Sequence, residues 1–318
     1  MDRSLLAAQL HRRAFRVSHA LGGNPLFHLD ALLDVARAAA ERPGDLYFDA
    51  GDVGLTDKWG AIERPALRVE QLIENIAQAR AWIVLKHVER DPRYARVLDE
   101  WAQFVRELAG PGAARLKRPE MLVFITSPRR ITPFHFDAEV NFLVQLTGSK
   151  DLWVCDPNDR ELTTELELER YYSLDITAGT YKEQAPARAQ HFSLVPGDAV
   201  HIPSHAAHWV QNHDAVSISL SLNFELPPRP TADAYRANHL LRSWGMRPTP
   251  VGTSALLDQL KASTLGFAVR ANGGLRARMR AARARAHALM GRLGAMTGFP
   301  SASADHAARR QDQQTPRA

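Results

Sequence analysis

The rhythm of apolar positions changes twice along the chain. At first it is helical. Leu32, Leu33, Val35, Ala36 and Ala39 form one face of a helix that Asp30 can cap and that ends at Pro43-Gly44. Leu72, Ile73 and Ile76 mark a second helix over 69–79. Ala95, Leu98, Trp101, Phe104, Val105 and Leu108 mark a third over 92–109, stopped by Gly110-Pro111-Gly112. Residues 1–60 are expected to be mostly helical, with a short strand at Leu46-Tyr47-Phe48, and Trp82-Ile83-Val84-Leu85 reads as another strand.

From Met121 to Phe224 the rhythm shortens. The runs MLVFIT, NFLVQL, DLWVCD, HFSLV, AVHIP, HWVQN and AVSISLSLNF are separated by turn residues at Gly148, Pro157-Asn158, Pro196-Gly197-Asp198 and His213-Asp214. Several short strands so spaced predict a β-sandwich or barrel. A less regular stretch, about 158–190, interrupts them; it is acidic at first and then carries Tyr171 and Tyr172. After Pro227-Pro228 helical spacing returns, with helices expected from Thr231 to about Trp244, over 254–265, and from about Leu275 to Leu293. The expected organisation is a helical or mixed region at 1–120, a β core at 121–226 with an insert at 158–190, C-terminal helices at 227–300 and a disordered tail at 301–318.

Composition narrows the class. Of 318 residues, 45% are hydrophobic and 24% charged, enough to bury a core and too apolar for wholesale disorder. A single cysteine, Cys155, excludes a disulfide framework within the chain and a thiolate-rich metal site. No run approaches the ~18 apolar residues of a membrane span, and MDRSLLAAQLHRRAF lacks the features of a secretory signal, so the expected location is the cytoplasm. The net charge of +5 is uneven. Residues 266–318 hold ten Arg and no Lys against Asp305 and Asp312, a net of +8; the remainder holds 30 basic and 33 acidic residues, a net of −3. The basic tail reads first as a solvated helix face, so nucleic acid is not the expected partner.

Candidate chemistry concentrates in the β region. In Ile131-Thr132-Pro133-Phe134-His135-Phe136-Asp137, residues two apart on a strand share a face, so His135 and Asp137 project together. An imidazole and a carboxylate are two-thirds of the 2-His-1-carboxylate triad that holds non-heme Fe(II) with open positions. The second histidine would come from a distant strand, where His201, His205 and His208 compete and spacing alone does not choose. Lys150, heading a strand, could salt-bridge a dicarboxylate beside such a site, and Thr132 could donate to the same group. Asn141 and Asn223 interrupt apolar strands and need hydrogen-bond partners. Phe134, Phe136, Phe142, Leu143, Leu152, Trp153 and Trp209 are candidates for an apolar sleeve or for the barrel core.

These segments together resemble the JmjC/cupin-like Fe(II)- and 2-oxoglutarate-dependent oxygenases, nearest to asparaginyl hydroxylases of the factor-inhibiting-HIF type and to bacterial cupin-like proteins. Thr132, Pro133, His135 and Asp137 match T-P-x-H-x-D. Asn141, Phe142, Gln145, Gly148 and Lys150 match N-F-x-x-Q-x-x-G-x-K, and Asn223-Phe224 matches a later N-F strand end. Pro196, Gly197, Asp198, Ile202, Pro203 and His208 match P-G-D-x-x-x-I-P-x-x-x-x-H. The resemblance implies a double-stranded β-helix (jelly-roll) core, mainly β, with N-terminal and C-terminal helical segments. It implies His135, Asp137 and His208 as iron ligands, Lys150 and Thr132 on the C5 carboxylate of 2-oxoglutarate, and Asn141 and Asn223 near its C1 carboxylate and the metal. The implied reaction consumes O2 and 2-oxoglutarate, releases succinate and CO2, and hydroxylates a protein or peptide side chain, with the 158–190 insert as a possible wall of a peptide groove. The alternatives are a small-molecule oxygenase on the same iron site, or a non-catalytic cupin-like regulator that binds nucleic acid through the Arg-rich tail. The resemblance also implies a possible homodimer through the C-terminal helices, where Leu240, Leu241, Trp244, Leu256, Leu257 and Leu260 are available.

Overall fold

A computed structural model describes residues 7–266, apart from 59, 61, 63, 110–116, 174 and 226–230. The N-terminal region supplies β1 (Phe15–Ser18), α1 (Leu29–Ala40), β2 (Leu46–Ala50), α2 (Val69–Glu74), β3 (Ala81–Leu85) and α3 (Pro92–Ala109). The β region supplies β4 (Lys117–Thr126), β5 (Ile131–His135), β6 (Val140–Thr147) and β7 (Lys150–Val154). The insert carries α4 (Glu165–Tyr172) and α5 (Ala185–Arg188), and then come β8 (Gln190–Leu194), β9 (Asp198–Ile202), β10 (His208–Asn212) and β11 (Ser217–Glu225). Helices α6 (Thr231–Ser243) and α7 (Ala255–Lys261) follow.

Two antiparallel sheets result. The larger runs β1-β9-β6-β11-β4-β3-β2 and the smaller β5-β10-β7-β8. Strands β4, β6, β9 and β11 face β5, β7, β8 and β10 as the chain winds between the sheets, which is a jelly roll with helices against its outer faces. The alternation of β11 explains how the layers hold together. Leu220, Leu222 and Phe224 point outward and pack in one buried cluster with Leu32 and Ala36 of α1 and Leu98, Ala102 and Val105 of α3. Ser219, Ser221 and Asn223, one position off, turn inward. Gly148, between β6 and β7, has φ +70°, and a Cβ there would lie 2.3 Å from the Val216 carbonyl oxygen, so the turn admits only glycine.

The N-terminal expectation needs correction. Among the described residues of 1–60 helix is the minority: β1 and β2 lie there beside α1 and the helical residues 7–9. Strand β1 is four residues of alternating burial paired with β9, too short to register as a pattern. The insert is anchored on the barrel. Its Leu162, Leu168 and Ala185 pack with Phe134, Phe136, Trp209 and Tyr235 on the outer face of the smaller sheet. The helix expected from Leu275 to Leu293 and the tail at 301–318 lie outside the described residues. Among the described residues, no helix is long and apolar enough to cross a membrane.

Candidate metal centre

The candidate residues meet at one end of the barrel. His135 ends β5 and His208 opens β10, and the two are register partners across the ladder. Their rings stand 4.2 Å apart between centroids. Asp137 lies two residues past the end of β5 rather than on it, yet it still turns to the same side. Its Oδ2 is 3.9 Å from His135 Nε2 and 3.8 Å from His208 Nε2. Among the described residues this is the one His/Cys/Asp/Glu group with three donor atoms so close, all within 4.8 Å of one another.

The ring orientations suit a metal. His135 Nδ1 is 2.8 Å from the Pro133 carbonyl oxygen, and His208 Nδ1 is 2.9 Å from that of Ala206. A carbonyl oxygen only accepts, so each Nδ1 carries the proton and each Nε2 offers a lone pair toward Asp137. Burial and the neighbouring His135 lower the His208 pKa well below the ordinary histidine value, which keeps its imidazole neutral and able to ligate. The Asp137 loop is fixed from behind. Its carbonyl accepts from the His205 N–H at 2.8 Å, and Ser204 Oγ donates to the Ala138 carbonyl at 2.7 Å.

His135, Asp137 and His208 open onto a cavity of about 110 Å3 that is also lined by Thr132, Asn141, Lys150 and Asn223. All seven candidate residues therefore share one space. Lys150 is the first residue of β7, and its Nζ reaches across the barrel to donate to Ser219 Oγ at 2.9 Å. Burial alone pushes its pKa down to about 7. No acidic group among the described residues faces it, so the amine is buried without a counter-ion. Asn141 and Asn223 are register partners on β6 and β11. Asn141 Nδ2 donates to Ser221 Oγ, which donates to Asn223 Oδ1 at 2.9 Å, while Asn141 Oδ1 accepts nothing.

The other two histidines lie elsewhere. His201 is fully buried on the outer face of the larger sheet, between Phe15 and Phe142, and its Nε2 accepts from the His11 backbone N–H at 3.1 Å. His205 sits at φ +67° in the turn before β10 and meets the Tyr172 hydroxyl at 2.6 Å. Of the expected apolar sleeve, only Leu143 lines the cavity. Phe142 faces the helices, Leu152 packs between the sheets, and Phe134, Phe136, Trp153 and Trp209 lie on the outer face of the smaller sheet. The cavity instead draws its apolar wall from Trp82, Leu122, Phe124, Ile202 and Val210, together with Leu143. Sequence reasoning also missed Ser221 and Glu139. The serines of SISLSLNF did carry a signal, a polar period of two ending at Asn223. Glu139 lines the cavity beside Asp137, and burial with that like charge raises its pKa to about 7.

No curated protein matches the chain in sequence. Among solved structures, E. coli YcfD is similar in an X-ray structure at 15% identity and a TM-score of 0.49, with 83% of this chain and 66% of that chain covered. The structure of YcfD, described as a ribosomal oxygenase from E. coli in complex with cobalt and 2-oxoglutarate, is similar at 14% identity and a TM-score of 0.47, covering 81% and 63%. Its complex with cobalt and succinic acid is similar at 14% identity and a TM-score of 0.41, over the same shares. The chain thus spans about two thirds of the length of these proteins. A cupin-like domain model matches residues 70–229, half of the chain. The matched span begins in α2, takes in every strand of the barrel and both histidines that face Asp137, and makes the chain a member of the cupin-like domain family.

Proposed function

We propose that the chain is an Fe(II)- and 2-oxoglutarate-dependent oxygenase that hydroxylates a protein or peptide side chain. One observation carries the reading: a single cavity pairs two Nε2 lone pairs and a carboxylate with a buried lysine that has no acidic partner among the described residues. Two imidazoles and one carboxylate suit ferrous iron and leave coordination positions open. A buried ammonium with room before it suits the far carboxylate of a small dicarboxylate. In this reading His135, Asp137 and His208 hold the metal. Lys150 and Thr132 bind the C5 carboxylate, and Asn141 and Asn223 lie beside the C1 carboxylate. The bound iron would supply dioxygen activation coupled to decarboxylation of 2-oxoglutarate, with release of succinate and CO2.

The chain's own residues do the rest. The Nδ1–H bonds to Pro133 and Ala206 keep both rings turned toward Asp137. Leu143, Ile202 and Val210 give the cavity an apolar wall between the metal end and Lys150. The mouth is open at the metal end, where 38% of the Asp137 side chain and 19% of that of His135 are exposed. A side chain presented from a larger molecule can reach that end, which supports a protein or peptide substrate. Exposed Trp244, Leu256, Leu257 and Leu260 support a homodimer through the C-terminal helices as part of the same proposal.

The test needs no substrate. Metal-free protein titrated anaerobically with Fe(II) and 2-oxoglutarate should develop a visible metal-to-ligand charge-transfer band, lost in His208→Ala and in Asp137→Ala. Folded wild-type protein that binds metal yet shows no band with 2-oxoglutarate would overturn the proposal.

A further inference from the structure

The barrel's alternation gives each candidate ligand an outward-facing neighbour. Phe134 and Phe136 flank His135, Phe136 also precedes Asp137, and Trp209 follows His208. All three rings meet one short piece of the insert. Tyr181 stands edge-on to Phe134, with centroids 5.8 Å apart, and to Trp209 at 6.3 Å. Gly179 lies directly on Phe136: a Cβ built there would be 3.1 Å from Phe136 Cδ1, 3.2 Å from Cε1 and 3.7 Å from His135 Cα. The Phe136 ring has little room to yield, since it is buried and Tyr171 packs against it at 5.1 Å.

This piece is itself anchored. The Gly179 carbonyl accepts from Lys58 Nζ, on the loop after β2. The Thr180 N–H and Lys182 Nζ both donate to Glu167 Oε1, at 2.9 and 2.6 Å. Glu167 Oε2 in turn closes the capping box of α4 with Thr164. The same N-terminal loop holds the free edge of β5, where the Phe134 N–H donates to the Leu55 carbonyl at 3.1 Å. Gly179 has no left-handed φ, so glycine is needed there for space and not for backbone conformation.

We propose that residues 179–181 are a buttress that positions the His135–Asp137–His208 group, with Gly179 and Tyr181 as positioning residues acting through Phe136, Phe134 and Trp209. The inference rests on the metal-site reading above. Pressure on Phe136 would tilt the strand end that carries His135 and Asp137, while leaving the donors themselves intact. The insert thereby acts on the site from outside, through the sheet.

The experiment is Co(II) titration of the full chain, read by calorimetry and by the visible d–d spectrum, with thermal unfolding of the metal-free protein measured alongside. Gly179→Ala should weaken Co(II) binding by about tenfold or more, as loss of outer support for metal ligands does elsewhere, and should shift the d–d band. Its metal-free unfolding temperature should fall by only a few degrees, because alanine's restriction of the unfolded chain partly offsets the crowding against Phe136. Adding Phe136→Leu should recover most of the lost affinity by vacating the contact. Tyr181→Leu is the second probe, should Gly179→Ala fail to fold, and it should also weaken binding. Wild-type affinity and spectrum in Gly179→Ala, or in Tyr181→Leu where that replaces it, would overturn the buttress and leave the metal reading standing. Wild-type protein that binds no Co(II) would overturn both.

Discussion

A lysine ammonium sealed in a barrel with one serine hydroxyl as partner is poorly solvated, and its pKa of about 7 expresses that. In the proposed site a dicarboxylate would favour the charged form and raise the value. Affinity for 2-oxoglutarate should therefore be flat below about pH 7 and weaken above it, by up to about tenfold per pH unit until the complex itself titrates. Lys150→Met should abolish that dependence and bind 2-oxoglutarate weakly at every pH. It should also unfold at a higher temperature than wild type without ligand, since a buried unpaired amine gives way to an apolar chain of similar length. Calorimetry across pH and a melting curve check both. His201 offers a stability test away from the site. Burial lowers its pKa to about 3, so between there and about 6.5 the unfolded chain binds more protons than the folded one. Stability from this group is complete above about pH 6.5 and falls with acid, by up to about 1.4 kcal/mol per unit. His201→Phe should flatten that limb in urea melts. Both residues were visible in the sequence, Lys150 by its place at a strand head and His201 as a rival ligand. Whether a histidine faces the cavity or the helices depends on strand register, which the spacing of three histidines in eight residues does not encode.

At the scale of elements, the strands of the core were legible wherever turn residues bracketed an apolar run. The helix over 92–109 is present with the same bounds, because Ala95, Leu98, Trp101 and Val105 repeat over a long span before Gly110. Strand β5 ends at His135, so Asp137 owes its direction to the loop held by Ser204 and His205 and not to strand pleating alone. The expected sleeve of aromatics failed for a related reason. Helices and insert cover both outer faces of the barrel, so most large apolar residues are in demand on those faces, and the lumen is left to serines, asparagines, a few aliphatics and the rings of Trp82 and Phe124. Strand β11 is where the two demands meet. Ser221→Ala removes the hydroxyl that joins Asn141 to Asn223 and leaves the buried Asn141 amide and the half-buried Asn223 amide each short of a partner. A loss of about 1–3 kcal/mol in urea unfolding is expected, together with weaker 2-oxoglutarate binding.

At the scale of the molecule, the larger sheet does not stop at the barrel. Strands β2 and β3 extend it past β4, and Trp82 of β3 lines the cavity. Met121, Val123 and Ile125 of β4 share one cluster with Leu220 and Leu222 of β11 and with the N-terminal helices. A fragment of residues 121–225 would expose that entire apolar face and leave β4 without its β3 partner. It should lack a cooperative melting transition in circular dichroism, whereas residues 7–266 together should show one. The order of the sheets could not be read along the chain, because pairings such as β1 with β9 join segments that share no local pattern.

The register of His135 against His208 has a further consequence. The two residues sit opposite each other on strands that are remote along the chain. A ligand gripping both would act as a removable cross-link, closing the loop between them and penalising every unfolded conformation in which they part. It would also forbid slippage, since a one-residue shift between β5 and β10 turns one imidazole to the far side of the sheet. Amide hydrogens along this ladder should then exchange with deuterium more slowly once Co(II) is added, while those of β1 and β2 at the distant sheet edges should keep their rates.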